Sequence, residues 1–277
     1  MRASSHPWRA RNSNAAVGGI IGAAIALGPV FLLAHGTLGR AQGPGSRAPV
    51  VADAKPGEIR VVVTAAIRTP LEAVRAKAEK AVGRALLIEY GSARGNLKEK
   101  ILKGQAFDVA LLLPDVNEEL AKAGKIMPGV SQIARVDVAI GLRGDVTPDL
   151  STPAAVKKAM LGAKALRWSD TGAALLTVNK ILDTLGIREA TKAQHAMPGD
   201  VALGPGEYEI NIYPLSEILS NKNVRNAGPV IKDLQVPSTI TAVISTNTSD
   251  VASAKALIEF LQGPTMDPFL TESGMKR

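Results

Sequence analysis

The sequence predicts an α/β fold built on mostly parallel sheets with helices on both faces. Three observations carry that reading. Short β-branched or apolar runs recur along the chain, at Ile59 to Val63, Phe107 to Leu113, Val136 to Leu142 and Ser238 to Ser245. Segments of helical periodicity alternate with them, and most open on a capping signal. Glycines then close several of those segments, as Gly83, Gly104, Gly124, Gly162 and Gly186 do.

Taken in order, Ile59 to Val63 has the composition of a strand buried on both faces. Thr69-Pro70-Leu71-Glu72 reads as N-cap, proline at N1 and glutamate at N3, with Leu71, Val74, Ala78 and Val82 at helical spacing. Leu86 to Glu89 is a short second strand. Asn96 with Glu99 and Asp115 with Glu118 predict two more capped helices on either side of the Phe107 strand. The later half repeats the style. Thr152-Pro153 opens a helix ending near Gly162, Ala165 to Trp168 is a strand, and Thr171 or Gly172 starts a helix to Leu185. Glu209 to Ile212 is a strand, Leu215 to Leu219 a short helix, and Asp250 caps a helix through Leu261, with one more from Pro264 to Thr271. Strand and helix alternating in this way is the pattern of a parallel sheet with crossover helices.

Composition removes whole classes of chemistry. The chain has 277 residues and no cysteine, which excludes disulfides, thiolate metal sites and catalytic thiols. Of three histidines, His6 and His35 lie near the N-terminus, leaving His195 in a polar stretch that reads as a surface loop. A Ser-His-Asp triad or His-rich metal site has almost no material. No phosphate loop, dinucleotide fingerprint or nucleophile elbow is present, so no cofactor is expected and an enzyme is not. The formal charge is +8, but four arginines and no acid lie within residues 1–41, leaving +4 for the remainder. Those charges are interspersed, without a basic run or interleaved aromatics, which argues against a nucleic-acid partner.

Residues 1–41 read as an export leader. Arg2, Arg9 and Arg11 precede an uncharged apolar stretch from Ala15 to Ala34, and Gly39-Arg40-Ala41-Gln42 supplies a small-residue cleavage site. The apolar stretch is also long enough to stand as an uncleaved membrane anchor. Either reading places the rest of the chain in the periplasm or otherwise outside the cytoplasm. Residues 42–56, rich in glycine and proline, form a tether.

The turns that leave the strands are where ligands bind in open α/β sheets, because helix N-termini aim unpaired N–H groups there. Three such turns are small and polar: Thr64-Ala65-Ala66-Ile67-Arg68, Gly91-Ser92-Ala93-Arg94-Gly95 and Ser169-Asp170-Thr171-Gly172-Ala173. Arg68 and Arg94 can pair with a carboxylate or oxyanion. Tyr213, after the Glu209 strand, is a candidate for the rim. The expected ligand-binding set is Thr64, Ala65, Ile67, Arg68, Ser92, Ala93, Arg94, Ser169, Thr171, Gly172 and Tyr213.

The order of these segments resembles the type II periplasmic solute-binding proteins, in the branch similar to molybdate-binding proteins. The resemblance rests on Val61-Val62-Val63-Thr64-Ala65-Ala66, Gly91-Ser92-Ala93-Arg94-Gly95-Asn96-Leu97, Gly104-Gln105-Ala106-Phe107-Asp108-Val109, Trp168-Ser169-Asp170-Thr171-Gly172, Leu215-Ser216-Glu217-Ile218-Leu219 and Ala227-Gly228-Pro229-Val230. It spans nearly everything after residue 57. It implies two lobes joined by a two-strand hinge, lobe one being 57–135 plus 242–277 and lobe two 136–241. Hinges would lie near Ala134 to Asp137 and Ser238 to Ala242.

The resemblance also implies a monomer that delivers a small anion to an ABC permease in the membrane. Molybdate binders of this branch use hydroxyls and backbone N–H groups of the first two turns. Here Ile67 stands where the first-turn serine is expected, Ser92 is retained near the second, and arginines flank both. The ligand therefore stays open between a molybdate-like oxyanion and an organic carboxylate. The alternative function is a membrane-anchored domain that senses a ligand without transporting it.

Overall fold

In a computed structural model, the described residues are 57–196 and 201–277. The expected leader (1–41) and tether (42–56) lie outside them. Two sheets organise the chain. The first runs β10-β4-β9-β3-β1-β2, the second β6-β7-β5-β8. Strands β1 (Glu58–Thr64), β2 (Ala85–Gly91), β3 (Val109–Leu112), β4 (Ser131–Val136), β9 (Ser238–Ile244) and β10 (Met275–Lys276) form the first. Strands β5 (Val138–Gly144), β6 (Ala165–Arg167), β7 (Tyr208–Pro214) and β8 (Arg225–Pro229) form the second.

The α/β class holds, but the expected mostly parallel sheets are mixed. β1 pairs parallel with β2 and β3, and β6 with β7; the other five pairings are antiparallel. The cause is the return crossing. β9 re-enters the first sheet between β3 and β4 and runs against both. A buried apolar run looks the same in either direction, so composition could not reveal this.

Helices cover the strands, as burial of consecutive residues Val61, Val62 and Val63 on both sides of β1 requires. Helix α1 (Arg68–Val82) turns Leu71, Val74 and Ala78 inward and ends at Gly83, whose φ of 70° is the left-handed conformation that stops a helix. It packs with α8 (Val251–Gln262) and α9 (Asp267–Glu272), while α2 (Lys98–Leu102) contacts α3 (Pro114–Lys122). In the second half, α4 (Pro153–Gly162) and α5 (Leu175–Leu185) pack a separate core with Ile140, Leu166, Ile210 and Ile212, and α6 (Arg188–His195) lies against β6 and α4. α7 (Leu215–Ser220) follows β7 directly.

Two expected caps form: the Thr152 hydroxyl accepts from the Ala155 N–H at 3.1 Å and the Asp250 carboxylate from the Ser253 N–H at 3.0 Å. Three do not. Thr69 lies inside α1, after a tight turn at Ala65–Ile67. Asn96 instead accepts from the Ser92 N–H, and Asp115 is held by Arg94. His195, expected in a loop, ends helix α6 with its ring stacked 3.8 Å from Trp168.

The chain leaves the first sheet at Asp137 and returns between Leu234 and Ser238. Ser238 to Ala242, expected as a hinge, is instead strand β9, so the return falls at 235–237. The two crossings are tied side by side. The Gln235 amide accepts from the Val138 N–H (3.0 Å) and donates to the Val138 carbonyl (2.9 Å), pairing the strands as a backbone would.

Candidate functional site

The three expected turns meet across the gap between the two sheets. The first follows β1, where Thr64 is 2% exposed and Ala65 to Ile67 make one tight turn before α1. The second follows β2 and is a wide π-type turn, Ala93–Leu97. The third joins β6 to α5. Gly172 is required there, since a Cβ would stand 2.8 Å from the Ser169 Cβ.

Two adjoining cavities lie between these turns and share Ala65, Gly91, Tyr213 and Glu217. The inner, of about 100 Å³, is lined by Thr64, Ala65, Gly91 and Ser92 from one lobe and by Ser169, Gly172, Ala173, Ala174, Tyr213 and Pro214 from the other. Ala173 and Ala174 lead into α5, so the positive end of an eleven-residue helix adjoins this space. The outer, of about 300 Å³, adds Arg68, Thr69, Tyr90, Ile218, Ser220 and Asn221.

Seven of the eleven expected ligand residues line this space: Thr64, Ala65, Arg68, Ser92, Ser169, Gly172 and Tyr213. Four are used otherwise. Ile67 and Ala93 are both fully buried in the core of the first lobe. Thr171 and Arg94 hold the lobes together. Arg94 sets Nε 2.6 Å and Nη2 3.1 Å from the Asp115 carboxylate, and its Nη1 donates to the Gly172 carbonyl at 2.6 Å. Its backbone N–H donates to the Thr171 carbonyl at 3.1 Å. A guanidinium so occupied, with its side chain 11% exposed, bridges the lobes as a latch would and lines neither cavity.

Ser92 contributes to the same closure. Its hydroxyl lies 2.6 Å from the Thr171 carbonyl and 2.7 Å from the Thr171 hydroxyl. Having one proton, it donates to the carbonyl and accepts from the hydroxyl. The backbone comes close enough for this only because residue 95 is glycine, where a Cβ would stand 2.8 Å from the Thr171 Oγ1.

Arg68 is the cation left for chemistry. It is exposed, its guanidinium lies 4.4 Å from the centre of the Tyr90 ring, and no carboxylate pairs with it among the described residues. Facing it from the other lobe is Glu217, which the turn-by-turn reading missed. Burial pushes the Glu217 carboxyl up to about 7, outweighing the opposite pull of the Arg68 charge. Burial also raises the Tyr213 hydroxyl, and the Glu217 charge adds to that. The available signal was positional: Leu215-Ser216-Glu217 directly follows a buried strand, so a short helix there had to face the turns. Among the described residues no acid and histidine cluster could hold a metal ion.

Two lobes, two crossings and converging turns around an interlobe cavity define a periplasmic-binding-protein architecture. The model of the bacterial extracellular solute-binding protein family matches residues 59–276, and the chain belongs to that family. It is 26% identical over 223 residues to the molybdate-binding protein ModA of Azotobacter vinelandii, covering 76% of this chain and 86% of that one. Among solved structures it is similar to the periplasmic molybdate-binding protein of A. vinelandii, with a TM-score of 0.63 and 19% identity over 79% of this chain and 99% of that one. It also matches the sulfate-binding protein SubI of Mycobacterium tuberculosis, with a TM-score of 0.60 and 14% identity over 79% and 86% of the two chains. These structural likenesses concern the fold.

Proposed function

We propose that this protein is the extracytoplasmic solute-binding component of an ABC importer and captures a small anion between its lobes. The observation that carries this reading is Arg68, a cation at the mouth of a cleft whose other walls are small residues, hydroxyls, a helix start and the Glu217 carboxyl group. An anion there gains a charge-assisted partner and N–H groups that already point inward. Relatives named for molybdate, for sulfate and for a molybdenum ABC transporter from Clostridium difficile support both the anion and the importer. The inner cavity suits a compact oxyanion or a single carboxylate, and the outer one gives a carboxylate room for a carbon chain.

The relatives are named as binding proteins, which supports a binder in preference to an enzyme. Each monomer needs only its own two lobes to enclose the ligand. A thermal-shift screen against molybdate, tungstate, sulfate, phosphate and di- and tricarboxylates tests the reading. At 100 times its dissociation constant a ligand adds about 2.7 kcal/mol, a rise of several degrees at this size. Stabilisation by neutral sugars or amines, with no response to any anion, would overturn it.

A further inference from the structure

The outer cavity pairs its cation with an acid, which is an obstacle for an anion site. Glu217 lines both cavities, so a solute in either has its carboxyl group in the wall. The helix that carries it is fixed in place. Ser216 is buried and donates its hydroxyl to the Ala66 carbonyl at 2.6 Å, and the Leu215 N–H donates to the Asp137 carbonyl at 2.8 Å. These bonds pin helix α7 against the first turn, across the lobe boundary.

The groups that surround Glu217 are few. Arg68 faces it from α1, Tyr90 from β2 and Tyr213 from β7; Glu72 acts on Tyr90, and the charges of Arg167, Asp170 and Glu209 act on Tyr213. Among the described residues, no side chain ion-pairs or hydrogen-bonds with its carboxyl group. An ionised Glu217 would set a partly desolvated negative charge beside the captured anion, whereas the acid form presents an O–H donor to it.

Resting on the anion reading, we infer that Glu217 binds the solute as a carboxylic acid, donating its O–H to the anion, so that capture carries one proton. The site then selects anions that offer only acceptor atoms and rejects ligands that present an ammonium or other donor to this position. The partly buried carboxyl group, already raised to about 7, is raised further by the charge of the arriving anion.

The test is calorimetric titration of the whole protein with molybdate, sulfate and malate between pH 6 and pH 9, in two buffers of different ionisation enthalpy. The probe that binds is expected to do so about tenfold more weakly at pH 8 than at pH 6, with close to one proton taken up per ligand at pH 8. Glu217→Gln keeps a neutral donor at the same place, so its affinity is expected to be independent of pH and its proton uptake absent. Its melting temperature, compared with that of the native protein at pH 6, confirms that it folds.

A native protein that binds a probe equally well across the range, without proton uptake, would refute the inference and leave the anion reading standing. So would a Glu217→Gln variant that retains the proton uptake. Capture of glycine betaine or lysine instead of every anion, lost in Glu217→Gln, would refute both.

Discussion

Arg94→Ala separates closing the cleft from lining it. In the native protein this guanidinium donates to the Gly172 carbonyl at 2.6 Å while Asp115 holds it in place from its own lobe. A hydrogen bond from a charged donor is worth about 1.5–3 kcal/mol. The loss falls almost wholly on lobe closure, because Asp115, with its side chain 46% exposed, is resolvated once unpaired. The Arg94 backbone N–H and the Ser92 hydroxyl still reach Thr171, so the closed form survives as a smaller fraction. Apparent affinity scales with that fraction, and the variant is expected to bind about 10- to 100-fold more weakly. Calorimetry with the best anion from the thermal screen gives the affinity, and small-angle scattering without ligand gives the mean dimension. The melting temperature should move little. Unchanged affinity together with an unchanged scattering radius would refute the latch.

Arg68→Ala is expected to reduce anion affinity by about 10- to 100-fold with little change in melting temperature, because the side chain is exposed and its removal leaves no carboxylate unpaired. Full affinity in a titration of that variant would show that the anion lies elsewhere. Gly95→Ala sets a methyl group 2.8 Å from the Thr171 Oγ1, so it should widen the cleft and weaken binding while each lobe melts as before; equal affinity would show that the turn can yield. Asp108 connects the first sheet to the loop after β9, accepting from the Arg60 N–H (2.8 Å), its guanidinium and the Thr248 hydroxyl (2.8 Å). Burial pushes its carboxyl up, but the bonds from Arg60 and Thr248 outweigh that and leave it below the usual carboxylate range. The stabilisation is therefore present above about pH 4 and lost as pH falls below it. Asp108→Asn should cost roughly 2–4 kcal/mol in urea unfolding at pH 7 and almost nothing near pH 2, and an equal cost at both would contradict the ionic account.

Much of this protein was legible from local sequence because its main signals are local. A β-branched run such as Val61-Val62-Val63 cannot be solvated on either side, and glycine at residue 83 or 186 ends a helix through its own backbone. The three ligand-side turns were readable for the same reason: short polar segments between an apolar strand and an amphipathic helix have one place to be. The short strands β8 and β10 escaped notice, since Arg225–Pro229 and Met275–Lys276 carry no periodicity and pair only because a neighbour's edge is open.

Local signals alone settle the α/β class, most strands and helices, and the turns that surround the cleft, all consequences of burial patterns and backbone preference within about fifteen residues. Strand direction, the use of each arginine and the importance of Glu217 depended on residues far apart in the chain. Arg68 and Arg94 have the same chemistry and similar positions after a strand, yet one meets Asp115 and the Gly172 carbonyl while the other meets the Tyr90 ring and faces Glu217 across the cleft. Asn96 and Asp115 could cap helices, and bonded elsewhere once tertiary partners came within reach. Charge and hydrogen-bonding capacity belong to a residue type. Which partner takes them up is decided by distance, and only the folded chain sets distances between residues 94 and 172 or 68 and 217.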